Sequence, residues 1–274
     1  MIFDAAAYVG EWPFRDIGGT VGGLTRTMAA NGVTHALVSP LQGFFYSDPT
    51  PANHKLLRDL RGRDNLFAAP ILNPYLVNFP EQIARLAAHP QVRAIRLAPG
   101  FHGYECVFAR PLLEVAAAHR LPVIVQTKFQ DRRHHPSVAN MPEVPLADAL
   151  DLAASVPKAR FVLSAPHLVE TMREAERIKG LRNVWLDLSH LDGLEGIKRA
   201  VKLVGARRLL LSTCWPFFYA KAARLKVAEA QLPARENEAV LGGNASRLFR
   251  LAGYLRGDGL GPPEGDGERR GGER

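Results

Sequence analysis

Short runs of apolar, β-branched residues recur along this chain every few tens of residues, and a longer amphipathic stretch follows each run. The runs are nearly continuous in apolar residues instead of alternating, which is typical of parallel strands covered on both faces. Their spacing matches the length of one strand–helix unit. The predicted strands are residues 2–7, 35–39, 66–72, 94–98, 122–127, 160–164, 184–189 and 208–213.

Helical periodicity fills the intervals between these runs. Residues 80–89, 110–119, 145–155 and 194–204 each place their apolar side chains on one face. Eight strands alternating with helices predict an α/β fold, a closed (β/α)8 TIM barrel, because an open doubly wound sheet usually has fewer units. An open sheet is the alternative, but no GxGxxG or GxxxxGK[ST] pattern follows the first strand.

The composition changes near the end of the chain. Residues 1–252 carry enough apolar side chains for one large core, which predicts a single barrel domain. Residues 253–274 are rich in Gly, Pro, Asp, Glu and Arg, so we expect a disordered tail there. The first residues lack the layout of a signal peptide, and no apolar run is long enough to cross a membrane. We therefore expect no membrane association.

The net charge of +8 raises the question of an anionic partner. The basic residues are scattered and lack the interleaved glycines and aromatic residues of RNA-binding motifs, so we expect no nucleic-acid partner. A solvated surface with excess arginine would explain the positive charge, and a small anionic molecule bound at the mouth of the barrel is the more specific explanation. Cys106 and Cys214 are the two cysteines, which is typical of a protein from the reducing cytoplasm.

Five segments, in order and spread over nearly the whole chain, resemble landmarks of the amidohydrolase-related, metal-dependent hydrolases. Residues 3–10 resemble the opening Asp-x-His-x-His-x-Gly strand, and residues 95–99 resemble the fourth-strand Ile-Lys-Leu-His-Pro segment. Residues 183–189 are similar to the seventh strand, residues 211–217 to the eighth strand, and residues 241–249 to the closing helix. The resemblance implies a TIM barrel and hydrolysis of C–N or C–O bonds.

The resemblance also implies one or two divalent metal ions, held by histidines of the first, fifth and sixth strands and an aspartate of the eighth. The residues that stand at these positions are Ala6, Tyr8, Gln126, Ala165 and Cys214. Alanine has no donor atom, and tyrosine and glutamine are poor zinc ligands. Even if His167 replaces the sixth-strand histidine, His167 and Cys214 are fewer than the three protein ligands of a catalytic zinc site. We therefore expect no metal and no other cofactor.

A charged loop follows the fifth predicted strand, at the end of the barrel where binding groups are expected. Arg132 on this loop is suited to hold a carboxylate in bidentate fashion. A solvated loop with an Asp131–Arg132 surface pair is the alternative. The candidate ligand-binding residues of the barrel mouth are Tyr8, Gln126, Lys128, Asp131, Arg132, His167 and Trp215.

Cys214 stands where the family has its aspartate, and His190 is the obvious group to lower the pKa of this thiol. A catalytic Cys214–His190 pair for covalent chemistry is one interpretation. A buried thiol packed beside Trp215 is the other. The adjacent His134 and His135 are a further pair of possible metal ligands, without a third ligand at a fixed spacing.

Two charged residues of the predicted strands are expected inside the barrel. Arg96 stands where the family usually has a lysine, and we predict that it pairs with Asp4 or Asp187. Asp187 and Ser189 lie two positions apart and therefore share a face. The sequence predicts a structural hydrogen-bond acceptor at Asp187 and not a general base.

Three hypotheses of function remain open. The first is a catalytically degenerate member of the family that binds a small molecule or serves as a partner subunit for an active homologue. The second is a hydrolase, lactonase or isomerase that works without a metal on a small carbonyl or carboxylate compound. The third is a metal hydrolase with relocated ligands, drawn from His167, His190, Cys214 and the His134–His135 pair.

Overall fold

The computed structural model describes residues 1–131, 133, 136 and 141–251. Arg132, His134, His135 and the predicted tail at 253–274 lie outside the described residues. In the described part of the chain, no helix is long and apolar enough to cross a membrane.

Parallel strands form the wall of the barrel, as the sequence predicts. The strands are β1 Phe3–Val9, β2 His35–Pro40, β3 Leu66–Ala68, β4 Ile71–Leu72, β5 Ile95–Leu97, β6 Val123–Gln126, β7 Phe161–Ser164, β8 Val184–Asp187 and β9 Leu209–Leu210. Hydrogen-bonded neighbours follow the order of the sequence, β1 to β3 in one sheet and β4 to β9 in the other.

The third predicted strand, at 66–72, is divided into β3 and β4 around Ala69 and Pro70. Proline has no N–H group, so it cannot donate to a ladder. The backbone nevertheless stays in the wall, because the Ala69 amide donates to the carbonyl of Val38 at 2.8 Å and the Arg96 amide donates to the carbonyl of Pro70 at 2.8 Å. The two sheets therefore continue into each other.

The barrel closes between β1 and the segment that follows β9. The amide of Ala5 donates to Leu211, the amide of Cys214 donates to Ala6, and the amide of Tyr8 donates to Trp215, at 2.8–2.9 Å. The predicted closed barrel is therefore confirmed. The last predicted strand, 208–213, is shorter in the ladder than expected, because only Leu209–Leu210 pairs with β8.

Twelve α-helices lie in the described part of the chain, and those predicted at 80–89, 110–119, 145–155 and 194–204 are among them. The helices are α1 Val21–Ala30, α2 Thr50–Leu60, α3 Phe79–Ala88, α4 Pro99–His102, α5 Arg110–Ala118, α6 Leu146–Ser155, α7 Leu168–Arg173, α8 Ala175–Gly180, α9 Gly196–Val204, α10 Ala220–Glu229, α11 Ala234–Glu238 and α12 Asn244–Leu248.

The strands alternate between the two faces of the wall with a period of two residues. Outward side chains, such as Ile95, Leu97 and Val125, pack against the helices in the largest hydrophobic cluster. Inward side chains near the amino ends of the strands form a second apolar cluster, which includes Leu37 and Ile124. α12 adds Ala245 and Leu248 to this second cluster, so it closes the amino-terminal end of the barrel.

Candidate functional site at the carboxyl end of the barrel

A layer of polar side chains crosses the interior of the barrel one step above the inner apolar cluster. We call it the polar layer, and its members are Ser39, Arg96, Gln126, Ser164 and Asp187. Each stands two positions after an inward apolar residue of the same strand, so the period of two sends it inward as well. All five side chains are buried, with exposed fractions of 0–1%.

Arg96 lies at the centre of the polar layer. Its Nε donates to the hydroxyl of Ser39 at 2.9 Å, and its Nη1 donates to the hydroxyl of Ser164 at 3.1 Å and to Oε1 of Gln126. Its guanidinium carbon lies 5.0 Å from the ring centre of Tyr8, within the range of a cation–π contact. The predicted direct pairing with Asp4 or Asp187 was therefore wrong, because Nε and Nη1 donate to hydroxyl and amide oxygens instead. Nη2 has no hydrogen-bond partner among the described residues.

The carboxylate of Asp187 accepts hydrogen bonds from three neighbours. The Ser164 hydroxyl donates to its Oδ2 at 2.5 Å, and the amides of Ala165 and Ser189 donate to Oδ1 at 3.1 and 3.0 Å. The Ser189 hydroxyl adds a further bond to Oδ1 at 2.6 Å. Ser164 thus connects Asp187 to Arg96 within the polar layer. These hydrogen bonds agree with the predicted structural role of Asp187. They occupy both oxygens of its carboxylate, so the carboxylate is not free to act as a base.

Gln126 and Tyr8 stand at two of the positions where the family has histidines. The Tyr8 hydroxyl donates to Oε1 of Gln126 at 2.8 Å, and Nε2 of Gln126 donates to the carbonyl of Lys128 at 2.6 Å. Burial raises the pKa of the Tyr8 hydroxyl, which therefore remains protonated and able to donate. The predicted ligand-binding groups Tyr8 and Gln126 thus bond to each other and to Arg96.

A layer of aromatic rings covers the polar layer on the carboxyl side. We call it the aromatic layer, and its members are Tyr8, Trp12, Phe44, Phe101, Phe129 and Phe217. Phe129 stands at its centre, with ring-centre distances of 4.4 Å to Phe44 and 4.9 Å to Tyr8. The ring centres of Phe217 and Phe101 lie 4.8 and 5.3 Å from that of Phe129. The mouth of the barrel is therefore filled by side chains of the protein itself.

The described residues contain no group of three or more histidine, cysteine, aspartate or glutamate side chains that is placed to hold a metal ion. Ala6 and Ala165 offer no side-chain donor atom, and the carboxamide of Gln126 is already bonded. The guanidinium of Arg96 adds a fixed positive charge to the same layer, which opposes a divalent cation. The residues present therefore do not fit the metal centre that the family implies.

Cys214 and His190 do not form a hydrogen-bonded pair. The Cys214 thiol and His190 Nε2 both point at the carbonyl oxygen of Phe129, at 3.8 and 2.9 Å. Burial, and then the charge of Asp187, raises the pKa of the Cys214 thiol well above its usual value. Burial lowers the pKa of His190, which leaves the imidazole neutral at neutral pH. A reactive cysteine needs the opposite shift, so this geometry supports the interpretation as a packed thiol.

Asp4 is a second buried carboxylate in the barrel wall, on β1. It accepts hydrogen bonds from the amide of Thr213 at 2.9 Å and from the amide of Ala6 at 3.1 Å. Burial raises the pKa of Asp4 to about 6, although these hydrogen bonds act in the opposite direction. The desolvation of the carboxylate is therefore the larger effect.

Lys128 is the one residue of the predicted set that combines a charge, deep burial and an unused hydrogen-bonding group. Its side chain is 4% exposed, and its Nζ has no hydrogen-bond partner among the described residues. Burial lowers the pKa of Lys128, while the carboxylates of Glu143 and Glu170 act against this shift. A buried ammonium group without a partner is costly, so it marks a place where an anion would be stabilised.

The other predicted residues lie around the rim. The imidazole of His167 lies 5.9 Å from that of His190. Asp131 pairs with Arg133 at 2.9 Å. The predicted Asp131–Arg132 pair lies outside the described residues, because Arg132 does. Trp215 packs beside Gly23, and the peptide bond to Pro216 is cis. His167 therefore lies beside His190, whereas Trp215 lies beside α1.

A surface cavity of about 860 Å³ lies beside the aromatic layer, along the loop between β1 and α1. Its lining contains three acidic residues, Glu11, Asp16 and Asp59, against Arg15 and Lys55. Lys55 is paired with Asp59 at 2.5 Å. This balance of charge does not favour an anion.

The sequence analysis missed Ser39, Ser164 and Phe129. The first two could have been found from the period of two, since each follows an inward residue, Leu37 and Val162, at the same spacing as Arg96. Phe129 follows its strand in a charged loop, and no sequence pattern indicates that it turns back over the barrel.

The model of the amidohydrolase family matches residues 4–251, and this chain belongs to that family. The predicted family resemblance is thus confirmed. No match is found among proteins of curated function.

Solved structures with the same fold share little sequence with this chain. A dihydroxybenzoic acid decarboxylase from Polaromonas sp. JS666, with manganese and 2-nitroresorcinol bound, has a TM-score of 0.69 at 16% identity, covering 92% of this chain and 97% of its own. The 2,6-dihydroxybenzoate decarboxylase from Rhizobium has a TM-score of 0.67 at 16% identity over 92% and 99%. The 5-carboxyvanillate decarboxylase from Sphingomonas paucimobilis has a TM-score of 0.67 at 14% identity over 91% and 98%.

Proposed function

We propose that this chain is a catalytically degenerate amidohydrolase-family protein, without the divalent metal centre of its relatives, that binds a small carboxylate at the rim of its barrel. The observation that carries the proposal is the state of the barrel mouth. The aromatic layer fills the space in which substrate and metal would lie, and the polar layer below it is occupied with its own hydrogen bonds.

The electrostatics of the polar layer support the loss of the metal. A catalytic zinc or manganese site requires about three donor side chains and an open position. Here the donors are replaced by Ala6, Tyr8, Gln126, Ala165 and Cys214. The positive charge at the centre of the layer is that of Arg96 in place of a metal ion. Arg96 donates to the Ser164 hydroxyl, which in turn donates to the carboxylate of Asp187. Binding a metal would require both the expulsion of Arg96 and new ligands.

Lys128 supports binding of an anion. Its ammonium group is buried and unpartnered, and it lies on the same side of the barrel as His167 and His190, since its charge acts on His190. A carboxylate would supply the hydrogen bonds that Lys128 Nζ lacks among the described residues, in addition to the more distant charges of Glu143 and Glu170. One relative is known in complex with 2,6-dihydroxybenzoate, an aromatic carboxylate. We therefore place the ligand in the class of small, preferably aromatic, carboxylates.

Calorimetric titration of 2,6-dihydroxybenzoate into the full chain tests this proposal. We expect binding that Lys128→Met weakens at least ~10-fold, because a charge-assisted hydrogen bond contributes about 1.5–3 kcal/mol. Lys158→Met, at an exposed position, is the matched control and should leave the affinity unchanged. Equal affinities of the two variants, or decarboxylation or hydrolysis that depends on added Mn²⁺, would contradict the proposal.

A second candidate is the role of partner subunit to an active homologue, and one observation favours it. Tyr75, Val77, Val107 and Phe108 are large apolar residues that are 54–95% exposed, and the rings of Tyr75 and Phe108 lie 6.1 Å apart. Neighbouring exposed apolar side chains are typical of an interface.

Co-expression with a homologue that keeps all its histidines, followed by native mass spectrometry, tests the subunit role. A mixed assembly that Phe108→Glu abolishes, while Leu225→Glu on α10 leaves it intact, would support it. Absence of any mixed assembly would remove this candidate and leave the ligand-binding role.

A further inference from the structure

The amino-terminal end of the barrel carries a cavity of about 980 Å³ with an unusual charge. It lies under the ends of α2, α3, α5 and α12, opposite the candidate site described above. Its charged lining consists of one carboxylate, Asp64, and six arginines: Arg58, Arg61, Arg93, Arg120, Arg160 and Arg250. His89 and His119 complete the set of titratable groups.

Five of the six arginines of this cavity have no ion pair among the described residues. Among the described residues, no carboxylate lies within ion-pair distance of Arg58, Arg61, Arg120, Arg160 or Arg250. Arg160 donates to the carbonyl of Leu248 at 2.7 Å and to that of Arg120, so it ties two walls of the cavity together. Four other arginines of the cavity are exposed to solvent, within reach of a bound anion: Arg58, Arg61, Arg120 and Arg250.

Burial and the neighbouring arginines lower the pKa values of two groups that line the cavity. Burial, followed by the charges of Arg250 and Arg120, lowers the pKa of Arg160. Burial, followed by the charges of Arg61 and Arg93, lowers the pKa of His89. The positive potential therefore acts across the whole cavity and not at one wall alone.

Helix dipoles offset only part of this positive charge. The carboxyl ends of four helices point at the cavity, and each carries about −0.5 charge. Apart from Arg93, the cavity has five arginines; the four helix ends together offset roughly two of these charges, and Asp64 offsets another. About two positive charges remain without compensation, which is more than capping of these helices requires.

Two of the arginines occupy backbone positions that favour glycine. Arg120 and Arg250 have φ values of 58° and 56°, in the left-handed region. Each follows a helix in a Schellman arrangement, in which the amide of Leu121 donates to Ala116 and the amide of Leu251 donates to Ser246, both at 3.0 Å. At both positions the chain therefore has an arginine in spite of the conformational cost, and both arginines line the same cavity.

We propose that this cavity binds a compact anion with two or more linked phosphate groups. Guanidinium groups match phosphate oxygens in bidentate geometry, and several linked phosphates bring the number of negative charges that the cavity lacks. Apolar side chains, including Leu57, Leu121 and Pro122, line the cavity between the arginines and leave room for an attached organic group.

Titration calorimetry with inorganic tripolyphosphate on the full chain tests the inference. We expect binding that weakens at least ~10-fold when NaCl rises from about 50 to about 500 mM, since exposed guanidinium groups are screened by salt. Orthophosphate and citrate should bind at least ~10-fold more weakly than tripolyphosphate, because they present one phosphate or none.

The variant for this test is Arg61→Gln combined with Arg120→Gly. Glycine is the residue that the backbone at position 120 prefers, so loss of binding cannot be attributed to unfolding. We expect at least a ~10-fold loss of tripolyphosphate affinity. Arg173→Gln combined with Arg199→Gln removes the same charge on α7 and α9, outside the cavity, and should not change the affinity.

Four results would overturn the inference. They are no measurable binding of tripolyphosphate, citrate binding as tightly as tripolyphosphate, equal losses in the two double variants, and tighter binding of a single-stranded oligonucleotide that tripolyphosphate does not displace. The last result would point to nucleic acid as the occupant.

Discussion

The two ends of this barrel differ in packing and in exposed charge, and the difference is the reverse of the usual one for this fold. Barrel enzymes place open, polar sites at the carboxyl ends of the strands and use the amino end for stability. Here the carboxyl end is packed with the aromatic layer around Phe129, above a polar layer whose charges are compensated. The amino end holds an open cavity of about 980 Å³ with uncompensated arginines.

The two ends differ in the burial of their arginines and in the partners of these arginines. The guanidinium of Arg96 is buried and donates through Nε and Nη1 to side-chain oxygens of the polar layer, so it acts as a structural group. The guanidinium groups of Arg61 and Arg120 are exposed and unpaired, so they remain available to a ligand. The following predictions test this contrast, from the largest expected effect to the smallest.

Arg96→Met should lower the free energy of unfolding by about 3–5 kcal/mol, because it leaves Ser39, Ser164 and Gln126 without their buried cationic partner. Urea denaturation monitored by circular dichroism measures the change. Arg61→Met at the amino end is the matched control, with an expected change below about 0.5 kcal/mol. Similar losses of unfolding free energy in both variants would mean that the arginines of the two ends do not differ in structural role.

Phe129→Ala should lower the free energy of unfolding by about 3–4 kcal/mol, because a buried phenyl ring is removed from the centre of the aromatic layer. Phe108→Ala, at a residue 54% exposed, is the control and should cost less than about 1 kcal/mol. A neutral effect of Phe129→Ala would mean that the mouth of the barrel is not packed in solution.

Asp4→Asn should change the pH dependence of stability. The folded pKa of Asp4 is about 6, above the unfolded value of 3.8, so the wild type loses stability as pH rises through this interval. The loss is at most about 3 kcal/mol, and the asparagine variant lacks it. Free energies of unfolding measured from pH 4 to pH 7 should therefore favour the variant increasingly. A difference between the two proteins that does not change with pH would contradict the burial of an uncompensated carboxylate at position 4.

Arg120→Gly should stabilise the protein by about 0.5–1 kcal/mol, since φ is 58° at this position and a glycine at the end of α5 removes the strain. Arg199→Gly within α9 is the control and should destabilise by about 1 kcal/mol, because its backbone is helical. Destabilisation by Arg120→Gly would show that the arginine is retained for the fold and would weaken the case for a ligand at the amino end.

The sequence predicts most of this architecture and little of the state of its site. Continuous apolar runs such as 122–127 predict the strands because parallel strands are buried on both faces. The break at Pro70 was not predicted, since it follows from the hydrogen-bond ladder and not from the apolar pattern. The altered ligand positions, such as Ala6 and Gln126, were evident from the family resemblance.

The partners of the buried groups could not be predicted in the same way. Arg96 was expected to meet a carboxylate, but Ser39, Ser164 and Gln126 reach it first, and this depends on the register of neighbouring strands. The basic cavity combines arginines that lie far apart in the sequence, between Arg58 and Arg250. Only the closure of the barrel and the docking of α12 bring them together.

Metal content of the full chain, expressed with zinc, manganese and iron supplied and measured by elemental mass spectrometry after dialysis, tests the central claim most directly. We predict less than about 0.1 equivalent of any of these metals, because the aromatic layer fills the carboxyl end and fewer than three suitable ligands converge there among the described residues. About one equivalent that survives dialysis would contradict the account and would direct attention to ligands around His167 and Cys214.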